Sequence, residues 1–390
     1  MSKQAVEEPD LKIIEETDDN FQPTGVEAED KQEAASPKPY DPEQIRVDPK
    51  TFSLRQILDM IDDGDLELAP DFQRLKVWTP VQKSRLIESV LLRIPLPAFY
   101  FSSDEAGALQ VVDGLQRLST IHDYVRGGKE KKGFFPLDGL EYLQDQVGGK
   151  GFKQLNSPMW TRRIYNTQIM ANVIDPQTPY RVKFDIFRRI NTGGSPLNAQ
   201  EIRHCLSQPQ SRDLLKRMAF NKEFVRATHN AVTGSVRMVD REVILRFCAF
   251  NKFPGLQAYA ESASMDEFLN RSTQILDEIS APQMEQLEAE FTNSMANAFM
   301  IFGRHAFRKW PKYYSRISPF NRALFDVWSV LLAPYTQTQL SPVADQIISR
   351  ARELMTSDSA FTASISAGTS DVQKVATRFR SVRELLNAVV

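Results

Sequence analysis

Val111-Val112-Asp113-Gly114-Leu115-Gln116-Arg117-Leu118 carries the chain from an apolar run through a turn into an amphipathic segment. The valines read as the end of a strand, Asp113-Gly114 as a tight turn, and Leu115 to about Val125 as a helix. Such a turn aims backbone N–H groups and the positive end of the helix dipole at one spot. Gly114 permits close backbone approach. Arg117 falls in the first helical turn, where a planar guanidinium can fork two phosphate oxygens. Asp113 is a candidate Mg²⁺ ligand beside those phosphates, because magnesium takes carboxylate plus substrate oxygens. On spacing alone the commoner arrangement is a plain strand–turn–helix joint, with Asp113 as the cap and Arg117 paired to it.

Upstream, Ser53 reads as an N-cap for a helix carrying Leu54, Ile57, Leu58 and Ile61, ended by Asp63-Gly64. Leu66–Leu68 reads as a short strand. Thr79-Pro80 opens a helix with Leu86, Ile87, Val90 and Leu91 on one face. Ala98–Ser102 and Leu109–Val112 read as strands joined by a turn. Between the first short strand and the second helix lies Phe72-Gln73-Arg74, with Lys76 and Trp78 close by. An aromatic beside Arg and Gln suits stacking on a base and reading of its edge. The alternative has Phe72 and Trp78 plugging the core, with Gln73 and Arg74 on the surface.

Downstream, Thr167–Ile174 reads as a strand, and a helix from Thr178 or Pro179 runs through Phe184, Phe187 and Ile190. Asn191-Thr192-Gly193-Gly194 follows as a loop, either a nest of N–H groups for an anion or a glycine C-cap. Asn198 and Glu201 form a capping-box pattern. Beyond about residue 205 strand signals cease, and Arg212–Val225, Val239–Phe250, Met265–Ile279, Pro282–Phe302, Arg322–Leu332, Pro342–Met355 and Val372–Val389 all read as helices. The expected organisation is α+β: a disordered acidic tail over residues 1–45, a mixed domain over 46–205 and a helical domain over 206–390.

Composition bounds the function. A chain of 390 residues, 42% hydrophobic and 25% charged, is ordinary for a globular protein with enough apolar material for a sizeable core. Cys205 and Cys248 are too few for a disulfide framework and wrongly spaced for zinc, which points to a reducing, cytoplasmic setting. No apolar run reaches the roughly 20 residues of a membrane span. The net charge of -2 conceals an asymmetry. Residues 1–40 hold 11 acidic against 4 basic side chains, whereas residues 150–250 hold 17 Lys/Arg against 7 Asp/Glu. The basic stretch suits a polyanion such as DNA, or forms ordinary solvated helix faces. The acidic segment is a candidate shield for it. No phosphate-binding G-x-x-x-x-G-K-[ST] loop is present, and His122, His204, His229 and His305 are scattered.

Four motifs in order carry a family resemblance. They are Pro70-x-Phe72-Gln73-Arg74-x-x-x-Trp78, the helix Arg85–Leu91 with Ile94-Pro95-Leu96-Pro97, Val112–Leu118, and Phe187–Gly194 with Pro196-Leu197 and Glu201-Ile202-Arg203. Together they resemble the N-terminal domain of the GmrSD-type restriction enzymes, a ParB/sulfiredoxin-like domain, over about residues 50–250. The resemblance implies a small α+β domain that binds a nucleoside triphosphate with Mg²⁺, often hydrolyses it, and serves bacterial defence against phage and modified DNA. The family pattern Asp-Gly-Gln-Gln-Arg falls on Asp113, Gly114, Leu115, Gln116 and Arg117, with Leu115 in place of the first Gln.

On that basis Asp113, Gln116 and Arg117 are the candidate catalytic residues, with Gln116 and Arg117 gripping phosphates. Phe72, Gln73, Arg74, Gly114, Asn191, Thr192, Gly193 and Gly194 would complete the nucleotide site. Arg162, Arg163, Arg188, Arg189 and Arg203 are candidate DNA contacts. The family often carries a C-terminal His–Asn–His nuclease, and its motif is not found here. The expected partners are therefore DNA and a separate nuclease or effector chain, and the long helical half offers surface for a homodimer. A non-hydrolysing nucleotide-gated adaptor is the alternative. A third reading makes the domain a nuclease, with Asp71, Asp113 and Glu88 converging.

Overall fold

The computed structural model describes residues 13–18, 21–29, 41–68, 78–128, 134–190, 197–235 and 237–390. The chain divides into two units, one made of Pro39–Leu206 and one made of Met1–Lys38 with Ser207–Val390. The second unit opens with strands β1 (Glu15–Thr17) and β2 (Pro23–Glu27), which pair antiparallel.

The first unit is α+β. In chain order it contains β3 (Val47–Ser53), α1 (Leu54–Asp63), β4 (Leu66–Glu67), α2 (Pro80–Leu91), β5 (Phe99–Ser103) and β6 (Leu109–Asp113). Then come α3 (Leu115–Arg126), α4 (Gln144–Val147), α5 (Pro158–Asn166), β7 (Gln168–Ile174), α6 (Tyr180–Ile190) and α7 (Ala199–Leu206). The strands form one five-stranded mixed sheet in the order β3-β7-β5-β6-β4. β7 runs parallel to β5 and β4 parallel to β6, while β3–β7 and β5–β6 are antiparallel.

Local chemistry accounts for these elements. The Ser53 side chain accepts the Gln56 N–H at 3.2 Å, and α1 buries Leu54, Ile57, Leu58 and Ile61. Thr79 and Gln82 close a reciprocal capping box at the start of α2, with Pro80 at its first position. Asn198 and Glu201 do the same ahead of α7, at 2.8 and 2.7 Å. One sheet face, with Phe52, Phe99, Phe101, Val111, Ile169, Ala171 and Val173, joins a buried core with Ile87, Val90, Leu118, Ile121 and Tyr124. Burying a side chain such as Phe99 contributes roughly 1.5–3 kcal/mol.

The second unit is helical after the hairpin: α8 (Pro209–Ala219), α9 (Lys222–Thr228), α10 (Val239–Asn251), α11 (Met265–Glu278) and α12 (Ala281–Phe302), then α13 (Arg322–Leu332), α14 (Gln337–Leu340), α15 (Ala344–Ser357), α16 (Ser359–Ser364) and α17 (Val372–Asn387). The helix expected over 212–225 is two helices. Asn221 breaks it, because its side-chain oxygen accepts the N–H groups of Glu223 and Phe224 and starts α9 anew.

The disordered tail expected over residues 1–45 is corrected for residues 13–18 and 21–29. Backbone bonds at 2.8 Å join Glu27 N–H to the Phe320 carbonyl and Phe320 N–H to the Gly25 carbonyl. Val26 and Glu27 are buried. Glu27 accepts from Lys309 at 2.5 Å and from Asn321 at 2.9 Å. Glu16 accepts from Arg322 at 2.9 and 3.1 Å, and Glu29 from Arg246 at 3.2 and 3.3 Å. Arg246 and Arg378 share the buried Asp326. The acidic residues that composition assigns to a solvated tail are counter-charges for buried cations far along the chain. A buried cation is costly unless paired, which is why this segment is ordered.

Candidate functional site

The site is built at one end of β6. Tyr100 pairs with Asp113, and the next pair is Phe101 with Val111, so β6 carries a bulge at Val112. Bulges re-aim the side chain that follows, here Asp113. Gly114 then turns the chain with φ 95°. A Cβ there would lie 2.2 Å from the Phe99 ring, so both conformation and space demand glycine. Gly114 has no side chain to cap α3, and the helix starts with Leu118 N–H on the Gly114 carbonyl at 2.9 Å. The N–H groups of Leu115, Gln116 and Arg117 precede the first intrahelical bond, and the positive end of the helix dipole coincides with them.

Arg117 is held in place on several sides. Its Nη2 donates to Asp113 Oδ2 at 3.0 Å and to the Ala98 carbonyl at 3.2 Å, and Nη1 donates to the Pro97 carbonyl. The guanidinium carbon lies 4.2 Å from the centre of the Phe99 ring. Burial lowers the Arg117 pKa, against the opposing pull of Asp113. The Asp113–Arg117 pairing is therefore present, but the helix cap is Gly114 and not Asp113. The same guanidinium ties the entry to β5 onto the exit from β6.

Sheet register adds residues whose place in the site no local motif marks. Asp113 pairs with Tyr100, Tyr100 with Asn172, and Asn172 with Pro49, which makes one row across four strands. Tyr100 and Asn172 are half-buried, while their neighbours Phe99, Phe101, Ala171 and Val173 are core. Strand alternation puts Tyr100 and Asn172 on the face away from that core. The alternation is readable in each strand; the pairing that joins them is not.

Phe72, Gln73 and Arg74 lie outside the described residues. The described residue nearest before them is Leu68, and because β4 runs parallel to β6 it stands at the same end of the sheet as Asp113. At its far end, Trp78 packs partly buried on the core of this unit. Asn191, Thr192, Gly193 and Gly194 also lie outside the described residues, between α6 and the Asn198–Glu201 box.

The candidate DNA contacts separate by exposure. Arg162 is exposed on α5, and Arg188 and Arg189 are exposed at the end of α6, with Arg188 paired to Asp185 at 3.1 Å. Arg163 is half-buried, donating to the Leu91 carbonyl at 3.1 Å and stacking on Trp160. Arg203 is corrected: it is 1% exposed and donates to Gln200 at 3.3 Å, so no phosphate reaches it. The basic count over 150–250 likewise includes the buried Arg212, Arg241 and Arg246.

The donor set suits magnesium in one way only. Among the described residues no group of three or more His, Cys, Asp or Glu is arranged to hold a metal. Asp113 offers one carboxylate, with Oδ2 engaged by Arg117. That fits an ion arriving with phosphate oxygens, as Mg²⁺ commonly does, and not a cage made by protein alone. Glu88 does not join Asp113. It is buried and accepts the N–H groups of Glu141, Tyr142 and Leu143 at 2.7 to 3.0 Å. Burial raises its pKa, but those three donors outweigh it and hold the group below the usual range. The carboxylate convergence expected for a nuclease therefore loses this member. His122 is buried and bonded to Asp62 at 2.9 Å. No helix among the described residues is long and apolar enough to cross a membrane.

No curated protein matches the chain significantly. The family model described as "GmrSD restriction endonuclease, N-terminal domain" matches residues 54–207, from the first residue of α1 to just past α7. With the mixed sheet and the Asp113–Arg117 joint in place, residues 54–207 are similar to the N-terminal domains of GmrSD restriction endonucleases.

Proposed function

We propose that this chain, a restriction-system component by its N-terminal domain, binds and hydrolyses a nucleoside triphosphate at the start of α3 and couples it to DNA. The carrying observation is the uncapped helix N-terminus behind Gly114, with the Arg117 guanidinium fixed beside it. Such an N-terminus receives phosphate through backbone N–H groups and the helix dipole. Leu115 and Gln116 contribute N–H groups, and Gln116, half-exposed, orients the attacking water. Arg117 offsets phosphate charge, and its tie to Asp113 holds it ready. Asp113 would hold a Mg²⁺ that accompanies the phosphates; the ion would supply charge neutralisation there. Tyr100 and Asn172 extend the site along the sheet, toward the sugar or base. Phe72, Gln73, Arg74 and Asn191 to Gly194, which lie outside the described residues, would complete the nucleotide site. Arg162, Arg163, Arg188 and Arg189 face the DNA backbone, and cleavage falls to a separate nuclease or effector chain in the cytoplasm.

A second reading, a nucleotide-gated adaptor without turnover, is favoured by Leu115, which brings an apolar side chain where the family pattern has Gln. The test is nucleotide binding and phosphate release by the purified chain with Mg²⁺, with and without DNA, beside Gln116→Ala and Arg117→Ala. Thermal melts check that each variant is folded. Turnover lost in Gln116→Ala with binding retained supports hydrolysis. Binding without turnover in the wild type selects the adaptor. A wild type that binds no nucleotide overturns both.

A further inference from the structure

A cleft of about 380 Å³ opens in the helical unit, outside the residues of the family match. Phe220, Lys222, Arg226, His229, Asn230 and Phe299 line it. Phe220 follows the last residue of α8 and is 63% exposed, although the apolar residues just before it, Leu214, Leu215, Met218 and Ala219, are core. The Arg226 guanidinium lies 4.0 Å from the centre of the Phe299 ring, and the His229 ring is 6.0 Å from it. His229 and Asn230 are consecutive left-handed residues, with φ 52° and 60°. His229 is the C-cap of α9, a common place for a left-handed residue, and the turn it makes places His229 and Asn230 in the cleft lining.

We propose that this cleft binds an unstacked nucleobase and its flanking phosphates in single-stranded nucleic acid. Phe220 is an apolar ring that the core does not use, and a base can stack there, whereas Phe299 packs against the core and carries Arg226. Arg226 already stacks on Phe299 and presents a second planar surface. Lys222 and Arg226 bring positive charge to the rim, with Glu223 paired to Arg226 at 3.2 Å as the adjacent acid. The Asn230 amide offers a donor and an acceptor suited to a base edge. A neutral apolar ligand would leave the cations unused, and an acidic peptide would leave the Phe220 ring unused. A nucleotide unit engages both. The inference is independent of the nucleoside triphosphate reading, which concerns the other unit.

The test is fluorescence anisotropy of labelled oligo-dT and oligo-rU, beside a duplex of equal length. It uses the full chain with no nucleotide added. Variants are Phe220→Ala and Arg226→Ala, each checked by thermal melt; Phe220 is exposed enough to be replaced without unfolding. Phe220→Ala is expected to weaken single strands by about tenfold, in line with loss of one stacked base, and to leave duplex binding, proposed for the arginines of the other unit, unchanged. Equal affinity for dT and rU supports readout of base and phosphate, and a preference between them adds the sugar. The proposal is overturned if the wild type binds no single strand, if both variants bind single strands like the wild type, or if the variants weaken duplex as much as single strands.

Discussion

Glu27 Oε1 lies 2.5 Å from Lys309 Nζ, a buried ion pair between residues 282 apart in sequence. Lys309 is 0% exposed and Glu27 4%. The Asn321 amide satisfies the other Glu27 oxygen, and the Ser366 hydroxyl accepts a further Lys309 hydrogen at 3.0 Å. The start of the chain thereby completes the interior of its C-terminal half.

Removing one member of this pair strands the other charge inside. Glu27→Ala is expected to destabilise the helical unit by about 3–5 kcal/mol, as breaking a buried pair does. Replacing both, as Glu27→Leu with Lys309→Met, is expected to cost clearly less. Urea denaturation of the single and double variants measures this. A single variant within about 0.5 kcal/mol of wild type, the range of an ordinary surface change, would show that the hairpin is not a structural part.

Glu29 gives the helical unit an acid limb. Burial opposes its charge, but Arg246, Arg322, the Thr369 hydroxyl and Arg378 together outweigh that and lower its pKa to about 2 from an ordinary 4.5. A carboxylate depressed by folding stabilises the fold above its unfolded pKa, and the contribution disappears as pH falls through the folded value. The expected loss therefore lies between about pH 4.5 and pH 2. Glu27 works in the opposite direction. Its burial outweighs Lys309 and Asn321 and raises its pKa, so its contribution declines as pH rises through the carboxylate range. Melting curves across this window should show a shallower acid limb in Glu29→Gln than in wild type; identical limbs would contradict the assignment.

Gly114→Ala is expected to be harmful in two ways. It puts a side chain at φ 95° and pushes a Cβ to 2.2 Å from the Phe99 ring, on which Arg117 rests. The left-handed conformation alone costs roughly 1–2 kcal/mol. A lower denaturation midpoint together with weaker nucleotide binding is expected. An unchanged midpoint would mean that the turn relaxes, and the joint would lose its claim to a rigid geometry.

The arginines should separate by salt dependence. Replacing Arg162, Arg188 or Arg189 with Ala is expected to reduce the slope of log K against log salt for DNA by about 0.9 for each phosphate no longer neutralised. Arg203→Ala is expected to leave that slope alone and to lower stability, because its guanidinium is interior. Salt titrations and melts on the same four proteins check both halves. A slope change in folded Arg203→Ala would sink the distinction.

Much of the α+β unit is legible from local signals. Ser53, Thr79-Pro80 and Asn198–Glu201 mark helix starts by hydrogen bonds closed within a few residues, and apolar spacing supplies the buried face of α1. Gly114 is legible as a turn, and Arg117 as near enough to meet Asp113 four residues away. The break at Asn221 is not, because one capping side chain interrupts a helix without disturbing the apolar period around it.

The row from Asp113 through Tyr100 to Asn172 is not legible either, because strand register joins segments with no local sequence relation. Nor is the fate of Arg203 or of the acidic segment. Counting charges assumes that each one meets water, but Arg203 and Lys309 are interior and Glu27 is folded onto Lys309. Hydrogen bonds within one turn of chain are set by neighbouring residues and can be read off in order. Burial is a property of the assembled core, so which charges lose their water depends on residues hundreds of positions away.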